Sequence, residues 1–373
     1  MYIIEGQDIL VTAGESRILQ LNRVGLEEGK VFSVIGPNGS GKSTLLRVMA
    51  LLQSPHSGSV KFRGKKVMPR DRIKIRRRMA VVFQEPLLLD ATVEENVVIG
   101  LRIRGMDTLS ARKRAKFWLE RFKVAHLSKR WARAISGGEA RRVSLAGAFA
   151  LEPEVLFMDE PFANLDAPTR ESLLMELSEV LHSTGTTTFF VSHDFKEVAY
   201  LADSTMALFD GKPIQQDLPQ NILERPATER LAKFVGIENI WPARVIEATP
   251  NKITADIKGK KIVVAAAGVQ ENGVRLREGD VIKIALRGEK VDCAHWSSKK
   301  ANHNYDFAPH NPAKDNRWEG TVKSVFAFGD IIKITAECGI EVKISVPSRF
   351  LNEFRVGDPI IIFFSAEAPA IIR

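Results

Sequence analysis

One glycine-rich stretch of the chain has the residue types and the spacing that hold phosphate groups. Residues 36–43 read GPNGSGKS, which fits GxxxxGK[ST] without a mismatch, between the apolar run VFSVI and the helical pattern TLLRVMALLQ. Glycines in such a strand-to-helix turn let backbone N–H groups converge on the phosphates of a nucleoside triphosphate, and the helix amino terminus adds its positive end. The predicted binding residues are Gly36, Pro37, Asn38, Gly39, Ser40, Gly41, Lys42, Ser43 and Thr44.

A second stretch supplies carboxylates. In VLFMDE, residues 155–160, four apolar residues predict a buried strand that ends in Asp159 and Glu160. Asp159 is suited to bind Mg²⁺ directly or through a water molecule, and the Ser43 hydroxyl would be a further ligand of this Mg²⁺. Glu160 can orient or deprotonate a water in line with the γ-phosphate, while Lys42 contacts phosphate as a point charge. Together the two stretches predict hydrolysis of the bound nucleotide.

The elements that must position these residues alternate in type. Short runs, VFSVI, MAVVF, VLFMD, TTTFFVS and STMALFD, alternate with longer helical patterns as far as Val235. This alternation is typical of an α/β domain with a mainly parallel sheet. Residues 92–151 contain no comparable strand and are predicted to form a helical subdomain. The predicted nucleotide-binding domain spans residues 1–235.

From about Asn239 the pattern changes to short alternating strands bounded by Gly, Asn and Asp. Two segments resemble each other, because each starts with Trp and a Val-rich strand and ends in a Gly-Asp turn followed by alternating apolar residues. A weak internal duplication explains the likeness and predicts two small β-barrel-like lobes, about 239–294 and 316–373. The polar segment between them is predicted to be a linker.

Composition limits the class of protein. With 373 residues, 45% hydrophobic and 27% charged, the chain is predicted to be globular with two or more domains. No apolar run reaches the length of a membrane-spanning helix, and the amino terminus lacks a signal-like pattern, so we expect a cytoplasmic location. Cys293 and Cys338 are predicted to be packed thiols. The irregular spacing of His295, His303 and His310 predicts no metal site.

The net charge of +9 suggests an anionic partner, either nucleic acid or anionic lipid headgroups. Much of the excess lies in KFRGKKVMPRDRIKIRRR, residues 61–78, and ARKRAKFWLERFK, residues 111–123. Because no interleaved aromatic residues accompany the charge, the interpretation favours solvated faces. Phe117, Trp118 and Phe122 are predicted to share one amphipathic face of a helix packed on a core.

A further motif gives the chain a family resemblance. ISGGE, residues 135–139, lies upstream of the acidic strand and is a variant of the LSGGQ signature of ABC transporter nucleotide-binding subunits. The resemblance covers residues 1 to about 235 and implies an ABC-type P-loop NTPase fold that uses ATP and Mg²⁺. In that family two cassettes pair head to tail, so Ser136, Gly137 and Gly138 would cap the γ-phosphate held by the other chain. Taken alone, SGGE is a helix N-cap with permissive glycines.

Three more residues gain roles from the same resemblance. Gln84 in VVFQEP matches the Q-loop, whose amide senses Mg²⁺ and the γ-phosphate and whose following residues face the membrane partner. Asp166 in ANLD matches the D-loop, which crosses the dimer interface. His193 in FFVSHD matches the switch histidine, which donates to the γ-phosphate and helps to fix Glu160 and the water.

Two positions depart from the family pattern. Glu139 replaces the usual glutamine of the signature, a change of charge that could alter dimer closure. Ala13 stands where an aromatic residue would stack on adenine, which predicts weaker or less base-selective binding of the nucleotide.

The carboxy-terminal segment resembles the OB/TOBE-like, or molybdate-binding-protein-like, lobes of importer ATPases through NIWPARV, NRWEGTV and the Gly-Asp turns. The cassette itself looks most like ATPases that serve molybdate or tungstate uptake. Such lobes can bind oxyanions, but KDNR, residues 314–317, replaces the segment typical of oxyanion binding, which favours a structural dimer clamp.

The resemblance therefore predicts an ATP-hydrolysing subunit of a membrane importer. It would act as a homodimer beneath two transmembrane permease subunits, on the cytoplasmic face of the membrane, and indirectly with a periplasmic or extracellular solute-binding protein. No nucleic-acid partner is predicted. The alternatives are another cargo, namely sulfate, ferric iron, polyamine or sugar, and a soluble ABC ATPase that acts on nucleic acid, which the basic isoelectric point of about 9.5 would suit.

Overall fold

The computed structural model describes residues 1–265, 276–295 and 316–372. The chain divides into two compact units, Met1–Ile222 and Leu223–Arg373. The domain limits expected at residues 235 and 239 stay a prediction.

Strands and helices of the first unit alternate along the chain. The strands are β1 (Tyr2–Ala13), β2 (Ser16–Glu27), β3 (Val31–Ile35), β4 (Ser57–Phe62), β5 (Lys65–Lys66), β6 (Met79–Val82), β7 (Val155–Asp159), β8 (Thr187–Ser192), β9 (Ser204–Phe209) and β10 (Lys212–Asp217). The helices are α1 (Lys42–Met49), α2 (Arg72–Arg76), α3 (Val93–Ile103), α4 (Thr108–Arg121), α5 (Gly137–Ala150), α6 (Ala167–Thr184) and α7 (Phe195–Leu201), and α8 (Pro219–Glu224) and α9 (Glu229–Phe234) follow.

A six-stranded sheet in the order β10-β9-β3-β8-β7-β6 carries the site. Only β10 runs antiparallel to its neighbour, so the expected mainly parallel sheet is confirmed. Every residue of β3, β7 and β8 is buried, because these continuous apolar runs are covered on both faces. The carboxyl ends of three adjacent strands, β3, β8 and β7, therefore meet at one edge of the sheet.

A second sheet, antiparallel and in the order β2-β1-β4-β5, also belongs to the first unit. Its long β1–β2 hairpin was absent from the strands named in the sequence analysis. Both strands mix buried and exposed positions rather than forming a continuous apolar run, which makes their signal weaker than that of β3 or β7.

The helical subdomain is formed by α3, α4 and α5, which contact one another. Trp118 and Phe122 of the α4 region pack against Phe149 of α5, with ring centroids 5.3 and 5.7 Å from that ring. The prediction that Phe117 shares this buried face is wrong, because its side chain is 57% exposed. Neighbouring positions on a helix point about 100° apart, so Phe117 cannot face the same way as Trp118.

The strands of the second unit are β11 (Asn239–Ala248), β12 (Lys252–Ile257), β13 (Lys260–Ala265), β14 (Val281–Leu286), β15 (Asp292–His295), β16 (Asn316–Phe328), β17 (Ile331–Glu337), β18 (Glu341–Pro347), β19 (Pro359–Phe364) and β20 (Ala370–Ile372). They form two five-stranded antiparallel sheets, β13-β12-β11-β14-β20 and β15-β19-β16-β17-β18. When β16, β17, β18 and β19 are placed on β11, β12, β13 and β14, these four strands have the same order in both sheets, which supports the internal duplication.

The two halves exchange their last strands. β15 follows β14 along the chain but pairs with β19, and β20 follows β19 but pairs with β14. One hydrophobic core contains buried residues of both sheets. The expected lobes, 239–294 and 316–373, are therefore not separate sheets, because each sheet takes an edge strand from the other segment. His303 and His310, Lys314 and Asp315 lie outside the described residues.

Candidate active site

Three strand ends deliver the predicted chemical groups to one place. The glycine-rich loop follows β3, Glu160 follows β7 and His193 follows β8. A cavity of about 670 Å³ opens there, and its lining includes Asn38, Gly39, Ser40, Gly41, Lys42, Ser43, Thr44, Gln84, Glu160 and His193. Most of the predicted residues are thus brought together by the fold.

Close backbone approaches explain why the loop needs glycine. A Cβ atom on Gly36 would lie 2.1 Å from the carbonyl oxygen of Leu208, and one on Gly41 would lie 2.8 Å from that of Ile18. Gly41 is also the N-cap of α1, with φ of 99°, a left-handed conformation that glycine adopts without steric cost. The loop is therefore wound tightly into the start of α1.

The Lys42 ammonium lies over this loop. Its Nζ donates to the carbonyl oxygens of Gly36 at 2.9 Å and Pro37 at 3.1 Å. Burial lowers the pKa of Lys42, and the nearby carboxylates of Glu160 and Asp159 oppose that shift. A buried ammonium over the loop that predicts phosphate binding is placed to receive an anion.

Two hydroxyls fit a nucleotide with its metal. The Ser40 hydroxyl oxygen is buried and has no hydrogen-bond partner among the described residues. The Ser43 hydroxyl donates to Asp159 at 2.9 Å, so a hydroxyl and a carboxylate oxygen stand side by side. Oxygen ligands of this kind suit Mg²⁺, which is usually bound through one or two protein oxygens together with phosphates and waters.

Glu160 is held between two cationic or protonatable groups. Its Oε2 lies 2.7 Å from Nδ1 of His193, and its Oε1 lies 3.9 Å from Nζ of Lys42. The carboxylate is buried, and its backbone has φ of 48°, which is uncommon for a residue with a side chain. Its N–H donates to the carbonyl of Val191 at 3.1 Å, which keeps β7 and β8 in register at this point. Such local strain is typical of functional sites.

The signature residues do not line this cavity. Ser136 is the N-cap of α5 and forms a capping box with Glu139, whose Oε2 accepts from the Ser136 N–H at 2.7 Å and hydroxyl at 2.9 Å. These hydrogen bonds lower the pKa of Glu139. Glu139, which replaces the usual glutamine, thus stabilises the start of α5 as glutamine also would. Asp166 caps α6 by accepting from Thr169 N–H at 2.9 Å and also lies outside the cavity lining.

The structure adds residues that the sequence reasoning missed. The cavity is also lined by Ile18, Arg47, Phe162, Ala163, Asn164, Arg170 and Glu197. Glu197 is buried and accepts from the Ser192 hydroxyl at 2.6 Å, next to His193. Burial raises the pKa of Glu197 to about 7, and the carboxylates of Asp194 and Glu160 add to that shift. Its only sequence signal was a position four residues after His193.

Arg141 is the second missed residue. It lies on α5, is 3% exposed, and donates through its guanidinium to the carbonyl oxygens of Phe83 and Gln84. The predicted Q-loop glutamine is therefore tied through its backbone to the helix that begins with the signature.

The second unit has its own cavity, of about 420 Å³. Among the described residues, its lining includes four carboxylate residues, Glu289, Asp292, Asp330 and Glu353, and no lysine or arginine. Negative charge on the wall disfavours an oxyanion in this cavity. Burial raises the pKa of Cys293, which also lines it, to about 12, and that of Cys338 to about 11. Both cysteines are free thiols, as expected. In the parts of the chain that the structure describes, His, Cys, Asp and Glu side chains form no cluster suited to a metal ion.

In this site a phosphate loop follows a buried parallel strand and lies beside a carboxylate at a strand end, which contacts a lysine and a histidine. This arrangement defines the class of P-loop ATPases. A family model described as "ABC transporter" matches residues 19–163. The chain is 39% identical over 222 residues to a probable sulfate/thiosulfate import ATP-binding protein of Chlorella vulgaris, covering 58% of this chain and 93% of that protein. It is 30% identical over 377 residues to a spermidine/putrescine import ATP-binding protein of Nitrosomonas europaea, covering 99% of this chain and 98% of that protein.

A molybdate/tungstate import ATP-binding protein of Thermococcus kodakarensis is 36% identical over 216 residues, which cover 58% of this chain and 65% of that protein. Among solved structures, cbiO1 of Clostridium perfringens, part of an ABC transporter complex, superposes with a TM-score of 0.56 and 28% identity over 63% of this chain and 94% of that chain. A dimeric ATP-binding cassette bound to ADP and Pi superposes with a TM-score of 0.54 and 28% identity, over 58% of this chain and 98% of that one.

The chain belongs to the ATP-binding proteins of ABC transporters. It is an ATPase that uses ATP and Mg²⁺, and it is an ATP-binding subunit of the importer type. The predicted α/β P-loop fold, followed by an all-β region, is confirmed. The cargoes in the relatives' names range from sulfate and molybdate to polyamines and ferric iron, so they do not select one for this chain. Within the described residues, the helices lack the combination of length and hydropathy that would let one cross a bilayer.

Proposed function

We propose that this chain hydrolyses ATP to drive import of a small oxyanion of the molybdate and tungstate type. It would work as a homodimer beneath two transmembrane permease subunits, on the cytoplasmic face of the membrane, and serve a solute-binding protein on the other side. The observation that carries the hydrolysis part of the proposal is the position of Glu160, which lies between His193 and Lys42 at the rim of the phosphate loop.

The chemistry follows from the positions of the side chains. The buried Lys42 ammonium and the backbone N–H groups of residues 39–43 would bind the phosphates, and the Ser43 hydroxyl and Asp159 carboxylate would hold Mg²⁺. The metal, when bound, neutralises part of the phosphate charge. Glu160 accepts a proton from the attacking water, and His193 fixes the carboxylate that does so. Gln84 lines the cavity, so a change in the bound nucleotide would move Gln84 and the segment that follows it.

A second copy of the chain completes the site. Ser136, Gly137, Gly138 and Asp166 lie outside the cavity that most of the other predicted residues line. The Ser136 hydroxyl and the N–H groups at the start of α5 form a second anion cradle, which a facing chain would bring to the γ-phosphate. The dimer would close around ATP and reopen after hydrolysis by a rigid-body movement of its two chains, a common kind of conformational change in proteins.

The proposed cargo class rests on relatives with higher identity. Sulfate/thiosulfate import proteins of Chlorella vulgaris and Caulobacter vibrioides are each 39% identical to the matched part of this chain, and the molybdate/tungstate protein is 36% identical. Identity therefore favours oxyanions over polyamine and ferric iron, whose relatives are 30 to 33% identical, but it does not separate sulfate from molybdate and tungstate. Sulfate is the nearest alternative cargo because it belongs to the same oxyanion class, and sugar is a more distant one. The acidic lining of the cavity in the second unit disfavours binding of the oxyanion there. The second unit is proposed to act as a dimer clamp.

Phosphate release by the purified full-length chain tests the ATPase proposal. Glu160→Gln should retain ATP binding, lower kcat by at least about 100-fold, and give a nucleotide-bridged dimer that sedimentation detects. Glu171→Gln, an exposed carboxylate on α6, is the matched control and should hydrolyse ATP normally. Normal turnover by Glu160→Gln would contradict the assigned base, and a monomer with saturating ATP would contradict the shared site.

Uptake by cells tests the cargo. Cells that lack the chain should lose uptake of molybdate or tungstate, and the wild-type chain should restore it while Glu160→Gln should not. Sulfate, Fe³⁺ and spermidine serve as comparison solutes in the same assay. Loss confined to spermidine or Fe³⁺ would overturn the oxyanion proposal and leave the ATPase assignment intact.

A further inference from the structure

The excess positive charge of the protein is concentrated in one short segment. Residues 61–78 contain ten Lys or Arg and one Asp, a net charge of +9, which equals the net charge of all 373 residues. The rest of the chain is therefore electrically balanced. Because the net positive charge lies in one segment, the electrostatic potential near that segment is stronger than it would be if the same charge were spread over the surface.

This segment lies at one edge of the antiparallel sheet of the first unit. It runs from the end of β4 through the edge strand β5, a single 3-10 turn at Pro69–Asp71, and the short helix α2. A few of its basic side chains have partners within the protein. Arg63 and Arg78 form ion pairs with Glu154, and the Arg72 guanidinium donates to the Ser54 hydroxyl at 2.5 Å.

Six other basic side chains form what we name the basic face: Lys65, Lys66, Arg70, Lys74, Arg76 and Arg77. All six are exposed, and none makes an ion pair with a described residue. Exposed lysines and arginines are ordinary on a protein surface, but here they occur together with a single interspersed carboxylate, Asp71. Their charges remain available to an external anion.

Apolar side chains protrude from the basic face. Ile73 is 60% exposed and Met68 is 44% exposed. Arg70, Ile73, Lys74 and Arg77 follow the i, i+3, i+4, i+7 spacing of one helical side, while Ile75 packs against the core on the other. The outward side thus places an isoleucine among three cations, an arrangement typical of surfaces that lie on a membrane interface.

We propose that the basic face binds the anionic headgroups of a phospholipid membrane, with Ile73 and Met68 entering the interface. Nucleic acid fits the observations less well. Binding to single strands uses exposed aromatic side chains on which bases stack, and Phe62, the aromatic residue of this segment, is buried. An anionic lipid membrane would instead contact both the basic side chains and the exposed apolar side chains of the basic face.

The second basic stretch provides a comparison within the same protein. On α4, Arg112 lies 3.9 Å from Glu94, Arg114 lies 3.1 Å from Glu152, and Lys116 lies 3.8 Å from Glu120. These carboxylates neutralise much of the local charge. Lipid binding should therefore depend on the basic face and little on α4.

Vesicle co-sedimentation of the purified full-length chain tests the proposal. Binding to vesicles of one part phosphatidylglycerol to two parts phosphatidylcholine should exceed binding to pure phosphatidylcholine at least tenfold and should vanish at about 0.5 M NaCl, where surface charges are screened. Each basic residue near an anionic surface contributes about fivefold, so K74E/R77E should lower the partition coefficient about 25-fold or more. Ile73→Ser should weaken binding without changing its salt dependence.

The matched control is K113E/K116E, which makes the same charge change on exposed positions of α4. It should bind vesicles nearly as well as the wild type. ATP hydrolysis in solution should be normal in both double variants, because neither pair lines the nucleotide cavity. Normal hydrolysis also shows that a variant is folded, and it separates a failure of this proposal from a failure of the ATPase assignment.

Three results would overturn the proposal. One is equal binding of wild type and K74E/R77E to anionic vesicles. Another is a larger loss with K113E/K116E, which would move the lipid contact to α4. The third is tight, salt-sensitive binding of a fluorescent 30-nucleotide RNA or DNA that K74E/R77E abolishes while vesicles remain unbound, which would assign the basic face to nucleic acid.

Discussion

Asn239 and Asn316 occupy equivalent positions in the two sheets of the second unit, and each makes a two-point hydrogen bond to the opposite sheet. The Asn239 amide bonds the N–H and the carbonyl of Lys343 on β18, both at 2.7 Å. The Asn316 amide bonds the N–H and the carbonyl of Val263 on β13, at 2.7 and 2.9 Å. The indoles of Trp241 and Trp318 repeat the pattern by donating to the carbonyls of Glu341 and Lys261. The duplication thus extends to the contacts that join its copies.

Replacing Asn316 by Ala should destabilise the second unit by about 2 to 4 kcal/mol. Asn316 is buried, and the substitution leaves the N–H and the carbonyl of the half-buried Val263 without their partner; each such group costs about 1 to 3 kcal/mol. Urea unfolding of the full-length chain measures the loss. Hydrogen exchange should also become faster in β13, Lys260–Ala265.

Asn251→Ala, at an exposed position of the same unit, is the control and should change the unfolding free energy by less than about 0.5 kcal/mol. Asn239→Ala should instead speed exchange in β18 and leave β13 unchanged. If both variants loosened the same strand, the reciprocal contacts would not be independent.

The contribution of Glu197 to the stability of the first unit should fall as the pH rises from about 4.5 to 7. The pKa of Glu197 is about 7 in the folded chain, against 4.5 for an unperturbed group, so the folded state binds a proton more tightly over this range. Its contribution is complete below pH 4.5 and is lost as the pH rises through 7, by at most about 3 kcal/mol. The facing groups are Ser192, Asp194, Glu160 and Arg170.

Glu197→Gln removes this titration while keeping an acceptor for the Ser192 hydroxyl. Thermal unfolding at several pH values should show the variant gaining stability relative to the wild type between pH 5 and 7.5. A difference that does not change with pH would show that Glu197 does not titrate in this range.

Loss of Arg141 should separate hydrolysis from nucleotide binding. Arg141→Ala removes both donors that hold the carbonyls of Phe83 and Gln84, so the segment that carries Gln84 becomes mobile. We expect kcat to fall at least about tenfold with the KM for ATP changed less than about threefold, because the proposed role of Gln84 is at the reacting end of the nucleotide.

Two further measurements check this role. Hydrogen exchange should accelerate in residues 83–88, and Arg141→Lys should restore part of kcat, since an ammonium reaches one carbonyl. Arg102→Ala, at an exposed position of α3, should leave both quantities unchanged. A rise in KM alone would assign Arg141 to nucleotide binding.

The nucleotide site should discriminate poorly between bases. Ala13 is exposed and is not among the residues that line the cavity, whose end near α1 is formed by Ile18 and Arg47. We expect kcat/KM values for ATP and GTP within about threefold of each other. Ala13→Tyr should lower the KM for ATP about fivefold or more, since stacking of a base on an aromatic ring contributes about 1 to 3 kcal/mol.

Glu15→Tyr places the same side chain two residues further along the exposed turn and should have no effect. A strong preference of the wild-type chain for ATP would show that Ile18, Arg47 or another described residue already selects adenine. The prediction from Ala13 would then be wrong.

Much of the active site could be predicted because its motifs are local. The loop at residues 36–43 needs glycine at the close approaches of Gly36 and Gly41, and this need is visible in the sequence. Buried parallel strands are continuous apolar runs, so the ends that carry Glu160 and His193 were also visible. The roles assigned to individual site residues remain predictions.

The sequence by itself determined the phosphate loop, the buried strands and the repeated pattern of the second unit, because each depends on neighbouring residues. Only the tertiary structure decided that Lys42 and His193 meet at Glu160, that Arg141 holds the Gln84 backbone, and that the second unit exchanges its last strands. Those contacts join residues far apart along the chain. They form because apolar strand and helix faces pack together, and a local pattern does not specify which partner a face will find.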